Sequence, residues 1–225
     1  MTALELGSPV QEVYLDADRP EAVTITRAVE QAGLAVTLVS ANVIKTLSEA
    51  TTPQGTVAIV TAPTDALDSI SGDIDLVLVL AEVGDPGNAG TLVRSAVAAG
   101  AGAVVFSTYS VDALNPKTVR AAAGHLWATK IIRDAPVEDV AAHLKKRGFR
   151  LIGTSVDARK GHDEVDLTGP SAIVVGNEGW GIPVEAEELM DELVAIRMPG
   201  PTESLNAGIA GSILLFEAVR QRSAG

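Results

Sequence analysis

Short apolar, β-branched runs alternate with amphipathic stretches along the whole chain. Brief apolar runs of this kind predict strands, and three-to-four-residue apolar spacing predicts helices. Strands are expected at Val13–Leu15, Val36–Val39, Val57–Val60, Leu76–Leu80, Ala103–Phe106, Leu151–Thr154, Ala172–Val175 and Val194–Arg197. Helices are expected at Pro20–Ala32, Thr91–Ala99, Val137–Arg147, Pro183–Met190 and Leu205–Arg222. This alternation predicts an α/β fold built on a parallel sheet. The runs DLVLVLAEV and SAIVVG are apolar at nearly every position, as expected where both faces of a sheet are covered.

Turn formers and charge in APTDALDSISGD place a boundary near residues 62–73. The chain is therefore read as residues 1–62, a linker at 63–74, and a larger domain at 75–225. The first part holds about three strands and opens almost directly on one of them. It is read as the rear portion of a small α/β domain, incomplete at its front.

The 225 residues lack cysteine, which excludes disulfides and thiolate chemistry. His125, His143 and His162 show no metal-ligand spacing, so no metal is expected. The first residues carry acid without a basic leader, and no apolar run is long enough to span a bilayer, so a cytoplasmic protein without a membrane partner is expected. The formal net charge of −12 disfavours phosphate binding and, taken alone, points to a small-molecule enzyme.

Three segments carry candidate chemistry. In LVLAEVGDPGNAGTLVRSAVAAG a strand enters a Gly-rich loop, and a helix is expected to follow Asn88. Such loops let backbone amides approach a ligand. Glu82, Gly84 and Gly87 partly match a Rossmann methyltransferase loop, but Pro86 breaks that pattern and no acidic residue ends the next strand. Arg94 lies in an otherwise apolar helical stretch, where a guanidinium requires a partner. In SAIVVGNEGWGIP, Glu178 stands at the C-terminal edge of a strand, as either a ligand contact or a plain turn residue. In IRMPGPTESLNAGIAGS, Ser204 suits a helix N-cap, and the small residues after it suit close packing.

Taken together, the three segments resemble the ordered motifs of the SpoU family of RNA ribose 2′-O-methyltransferases, within the SPOUT superfamily. The matching residues are Asn88, Gly90, Arg94 and Ala96; Gly176, Asn177, Glu178 and Gly181; and Pro199, Ser204, Leu205 and Asn206. TPQGTVAIV is similar to the stretch closing that family's N-terminal substrate-binding domain. The resemblance implies a SPOUT-type parallel sheet whose C-terminal segment is threaded into a trefoil knot, an exception to the usual rule against threading. It implies a homodimer and S-adenosylmethionine as cofactor. The expected cofactor contacts are Thr154, Ser155 and Val156; Val175, Gly176, Asn177 and Glu178; Ile196 and Met198; and Ser204, Leu205, Asn206 and Ala207.

The same resemblance implies catalytic roles for Arg94, Asn88, Glu178, Ser204 and Asn206, with Arg94 supplied to the partner subunit's pocket. A free arginine is essentially always protonated, so phosphate positioning and stabilisation of a developing alkoxide are favoured over base catalysis. Arg94, Lys117 and Arg120 are candidate RNA contacts; the last two equally suit a solvated helix face. Trp180 suits covering the cofactor or stacking a base, with a hydrophobic plug favoured, and the histidines are read as structural. The expected activity is methylation of RNA, ribosomal rather than transfer RNA. The alternative is a Rossmann-type methyltransferase or nucleotide-binding enzyme acting on a small molecule.

Overall fold

The computed structural model describes residues 2–48 and 50–224. Two compact units divide at Ala62 and Pro63. The first contains α1 (Thr2–Glu5), β1 (Val10–Asp16), α2 (Ala22–Gln31), β2 (Val36–Val39), α3 (Ala41–Leu47) and β3 (Thr56–Val60). Its sheet runs β2-β1-β3, parallel on one side of β1 and antiparallel on the other. Val13, Leu15, Val29 and Ile44 form its buried centre.

The second unit contains β4 (Leu76–Leu80), α4 (Pro86–Ala98), β5 (Ala103–Ser107), α5 (Pro116–Ala121), β6 (Lys130–Ala135) and α6 (Val137–Lys146). After these come β7 (Arg150–Thr154), β8 (Lys160–Gly161), β9 (Ser171–Val175), α7 (Val184–Glu187), β10 (Glu192–Ala195) and α8 (Ala207–Ser223). Among the described residues these strands form one seven-stranded sheet, ordered β6-β5-β4-β9-β7-β10-β8, in which every neighbouring pair is parallel. Side chains alternate between its faces. Leu76, Leu78 and Leu80 join Leu92, Val93, Leu214 and Leu215 beneath α4 and α8. Val77 and Val79 join Val140, Ala141, Leu144 and Ala186 beneath α6 and α7. Burial on both faces explains why β4, β5 and β9 read as uninterrupted apolar runs.

Residues 63–74 pack with this second unit. Asp65 pairs with Ile132 and accepts from the Ile131 amide at 3.0 Å, and Ile70 is fully buried. No helix of the described residues is long and apolar enough to cross a membrane.

Two helix starts differ from expectation. Asp85 caps α4, accepting from the Asn88 amide at 2.8 Å with Pro86 next, so Asn88 lies inside the first turn. At α8 the cap is Asn206, whose Oδ1 accepts from the Ile209 amide, and Ser204 lies in the preceding loop. The small residues of α8 serve packing within the chain. A Cβ on Gly211 would collide with Leu92 and Val175, so α8 lies directly against α4 and β9. Beyond those predicted, β6 is present at Lys130–Ala135. It is an edge strand whose Lys130, Arg133 and Asp134 mask its apolar core.

Candidate active site

The loops after β4, β9 and β10 meet at the C-terminal edge of the sheet, where ligands of parallel α/β proteins bind. They are joined by a relay of side chains. The Asn206 amide nitrogen donates to Asn88 Oδ1 at 2.7 Å, and the Asn88 nitrogen donates to Glu178 Oε1 at 2.8 Å. Glu178 Oε2 also accepts from the Gly84 amide at 3.4 Å. The three segments singled out in the sequence are thus one hydrogen-bonded unit.

Backbone and cap interactions hold the relay in place. Asn177 donates from its side chain to the Glu82 carbonyl at 2.8 Å, and its Oδ1 accepts from the Gly179 amide. Glu82 itself sits at φ 60°, a strained conformation for a non-glycine residue, with its amide donating to Ser107 Oγ. Asp85 positions Asn88 through the cap and meets Lys117 at 3.3 Å. The Asn88 amide foremost, and Lys117 with it, hold the Asp85 carboxyl below the usual carboxylate range. Asp85 was missed in the sequence, although an acid directly before Pro is a legible helix-start signal.

Beside the relay lies a cavity of about 350 Å³, within the range of small-molecule sites. All the expected cofactor contacts except Asn206 line it: Thr154, Ser155, Val156, Val175, Gly176, Asn177, Glu178, Ile196, Met198, Ser204, Leu205 and Ala207. Asn206 instead faces Asn88 and caps α8. The wall also includes Trp180 and, outside the expected contacts, Asp157, Ile182 and Glu187. Trp180 is 68% exposed, so it stands at the cavity edge and does not plug a core.

The loop after β9 is shaped for close backbone approach. Asn177 and Gly181 exchange both main-chain bonds, at 2.8 and 2.9 Å. A Cβ at Gly176 would strike the Gly181–Ile182 backbone, and Gly181 has φ 78°. A larger residue at Gly176 would open this turn and remove one side of the cavity.

Arg94 is placed differently from the other candidates. It is exposed on α4 and has no hydrogen-bond or ion-pair partner among the described residues. α4 turns this position outward, so the charged or hydrogen-bonding partner that Arg94 requires is not supplied by the described residues of its own chain. Lys117 and Arg120 are exposed on α5, with Lys117 engaged by Asp85.

Comparison with known proteins agrees with this geometry. The model of the SpoU rRNA Methylase family matches residues 75–216, and that for RNA 2′-O ribose methyltransferase substrate binding matches residues 1–66. A 23S rRNA (guanosine-2′-O-)-methyltransferase RlmB from Ralstonia nicotianae is 34% identical over 222 residues, 95% of this chain and 89% of that protein. A 23S rRNA (uridine(2479)-2′-O)-methyltransferase from Streptomyces viridochromogenes is 32% identical, covering 99% of this chain and 80% of that protein. The crystal structure of the SpoU methyltransferase AviRb from Streptomyces viridochromogenes with AdoMet superposes with a TM-score of 0.86 at 30% identity. It covers all of this chain and 87% of AviRb. With its ordered motifs joined in one site and both family models matched along its length, the chain belongs to the SpoU rRNA methylase family.

Proposed function

We propose that this chain transfers the methyl group of S-adenosylmethionine to a ribose 2′-hydroxyl of ribosomal RNA, acting as a cytoplasmic homodimer. The observation that carries this reading is the Asn206–Asn88–Glu178 relay set against the cavity. Relatives that bear the names of 23S rRNA 2′-O-methyltransferases, and a similar structure that holds AdoMet, support the substrate and the cofactor.

The cavity suits that cofactor chemically. Val175, Ile182, Ile196, Met198 and Leu205 offer an apolar wall, while Asp157, Glu178 and Glu187 offer carboxylates to its cationic groups. The bound cofactor supplies an electrophilic methyl group. Val175, Ile196, Met198 and Leu205 would hold the cofactor beside the ribose; its methyl would pass to the ribose oxygen as the sulfonium becomes a neutral thioether, and the hydroxyl proton would pass to solvent. Holding the oxygen in line supplies much of the acceleration. Arg94 binds the RNA phosphate and stabilises negative charge building on the oxygen; guanidinium groups remain cationic in proteins. Asn88, Glu178, Ser204 and Asn206 shape the pocket and orient the substrate.

A dimer supplies Arg94 with a pocket. On α8, Ile209 and Phe216 lie seven residues apart on one helical face and are 51% and 48% exposed, an apolar surface suited to a second copy. In this reading residues 1–62 hold RNA, residues 75–225 perform transfer with their C-terminal segment knotted, and 63–74 connect them. Lys117 and Arg120 assist RNA binding. Against a net charge of −12, any electrostatic grip on RNA would have to come from local cations such as Arg94 and Arg120.

Transfer of labelled methyl from S-adenosylmethionine into total RNA, set against a pool of small metabolites, tests the proposal. Label in RNA alone is expected. Label confined to small molecules would overturn it.

A further inference from the structure

The edge of the sheet beyond β5 and β6 holds a second cavity, of about 450 Å³, whose wall includes Ser107, Ser110, Asp112, Arg133 and Asp134. Three of the four described non-glycine residues with positive φ lie along this edge, after or within three adjacent strands: Glu82 at 60°, Tyr109 at 70° and Asp134 at 53°. Such backbone strain concentrates at functional sites. At Asp134 the β5–β6 register slips, so that Arg133 and Asp134 together oppose Phe106. A bulge of this kind re-aims side chains.

Tyr109 lies between the cavity-lining Ser107 and Ser110, in a turn closed by the Ser110 amide bonding to the Ser107 carbonyl at 3.0 Å, and does not itself line the wall. It is 83% exposed in a backbone conformation that favours glycine. Neither packing nor conformation accounts for a tyrosine there. Aromatic rings on RNA-binding surfaces stack unpaired bases.

The charge of the cavity separates base from phosphate. Its wall carries two carboxylates, Asp112 and Asp134, against one guanidinium, and Arg133 already lies 3.6 Å from Asp112. Asp134 has no side-chain partner among the described residues, whereas the Ser107 and Ser110 hydroxyls are occupied by the loops. Phosphate is disfavoured here. A carboxylate accepts paired N–H donors, and guanine alone among the common bases offers two adjacent donors, N1–H and N2–H, on its Watson–Crick edge.

We propose that this cavity is a subsite for a guanine base of the RNA, stacked on Tyr109 and read by Asp134. It is tied to the loop after β4, which runs on to Gly84 and Asn88 of the site, through the Glu82 amide bonding to Ser107 Oγ at 3.1 Å and the Val111 amide bonding to the Val83 carbonyl at 2.9 Å. The subsite would hold a nucleotide next to the reacting ribose. This inference rests on the RNA substrate proposed above.

Ultraviolet crosslinking of the full chain to ribosomal RNA, followed by mass spectrometry, tests it. Guanine adducts are expected on Tyr109 or its neighbours between Phe106 and Ala113. Tyr109→Gly, which suits the positive φ, should fold with an unchanged or higher melting temperature and bind RNA about ten-fold more weakly. Asp134→Asn also tolerates positive φ and should raise KM for RNA without altering cofactor affinity. Adducts only elsewhere, with Tyr109→Gly binding RNA like the parent, would overturn the subsite and leave the methyltransferase reading intact. Equal labelling by free guanosine monophosphate would also overturn it, showing a mononucleotide site. Absence of both RNA crosslinks and RNA methylation would overturn both.

Discussion

Asn206 donates to Asn88 at 2.7 Å across 118 residues of sequence, so the cap of the last helix is also a strut of the site. The two functions can be separated by substitution. Asn206→Ala loses both the cap and the contact to Asn88 and should cost about 1 kcal/mol of stability. Asn206→Asp keeps a cap acceptor but removes the amide donor, leaving stability within about 0.5 kcal/mol. Both should slow methyl transfer. Denaturant unfolding paired with turnover checks this, and wild-type turnover in Asn206→Asp would reduce the residue to a helix cap.

Arg94→Ala should abolish methylation while cofactor affinity stays within a few-fold, because Arg94 does not line the cavity. A transition-state role of about 3 kcal/mol corresponds to a rate loss of about 10²-fold or more. Calorimetric titration and single-turnover kinetics check the pair of outcomes. A loss of only about ten-fold would remove Arg94 from the catalytic set.

Much of this arrangement was legible in the chain, for identifiable reasons. Strands β4, β5 and β9 are buried on both faces, so their apolar runs announced themselves. Asn88, Glu178 and Asn206 were found through motif order, although spacing could not say that they touch. Helix starts were harder: Asn88 and Asp85 both suit a cap, and only the bond to the Asn88 amide decides between them. Ser204 and Asn206 posed the same ambiguity. Strand β6 escaped because its polar positions follow from a bulge and a sheet edge. Asp157 and Glu187 reach the cavity only through folding, since no local pattern marks them.

Glu217, buried on α8, has its carboxyl lowered to about 2, first by the Arg220 hydrogen bond and then aided by Gln221. Its folded pKa lies below its unfolded value, so the associated stability is present above about pH 4.5 and is lost as pH falls through about 2. Replacement by Gln removes that dependence. Unfolding free energies of parent and Glu217→Gln should therefore converge as pH drops across this window. A constant difference would show that Glu217 contributes through packing.

If Arg94 serves the neighbouring subunit, an inactive and a slowed protein should complement each other to more than the slowed protein's own activity. Mixing Arg94→Ala with Asn206→Ala, after dissociation and reassociation, should restore part of the activity through hybrid sites. Sedimentation should give a dimer, and Phe216→Glu on the exposed face of α8 should weaken it. A fully active monomer would contradict the shared site.

The most direct measurement is the position of the methyl group on ribosomal RNA treated with this chain and labelled S-adenosylmethionine. Nuclease digestion and mass spectrometry distinguish a ribose from a base methyl. The expected result is a single 2′-O-methylated nucleoside, absent with Arg94→Ala. Methyl on a base, or no incorporation into RNA by a folded protein that binds the cofactor, would contradict ribose methylation.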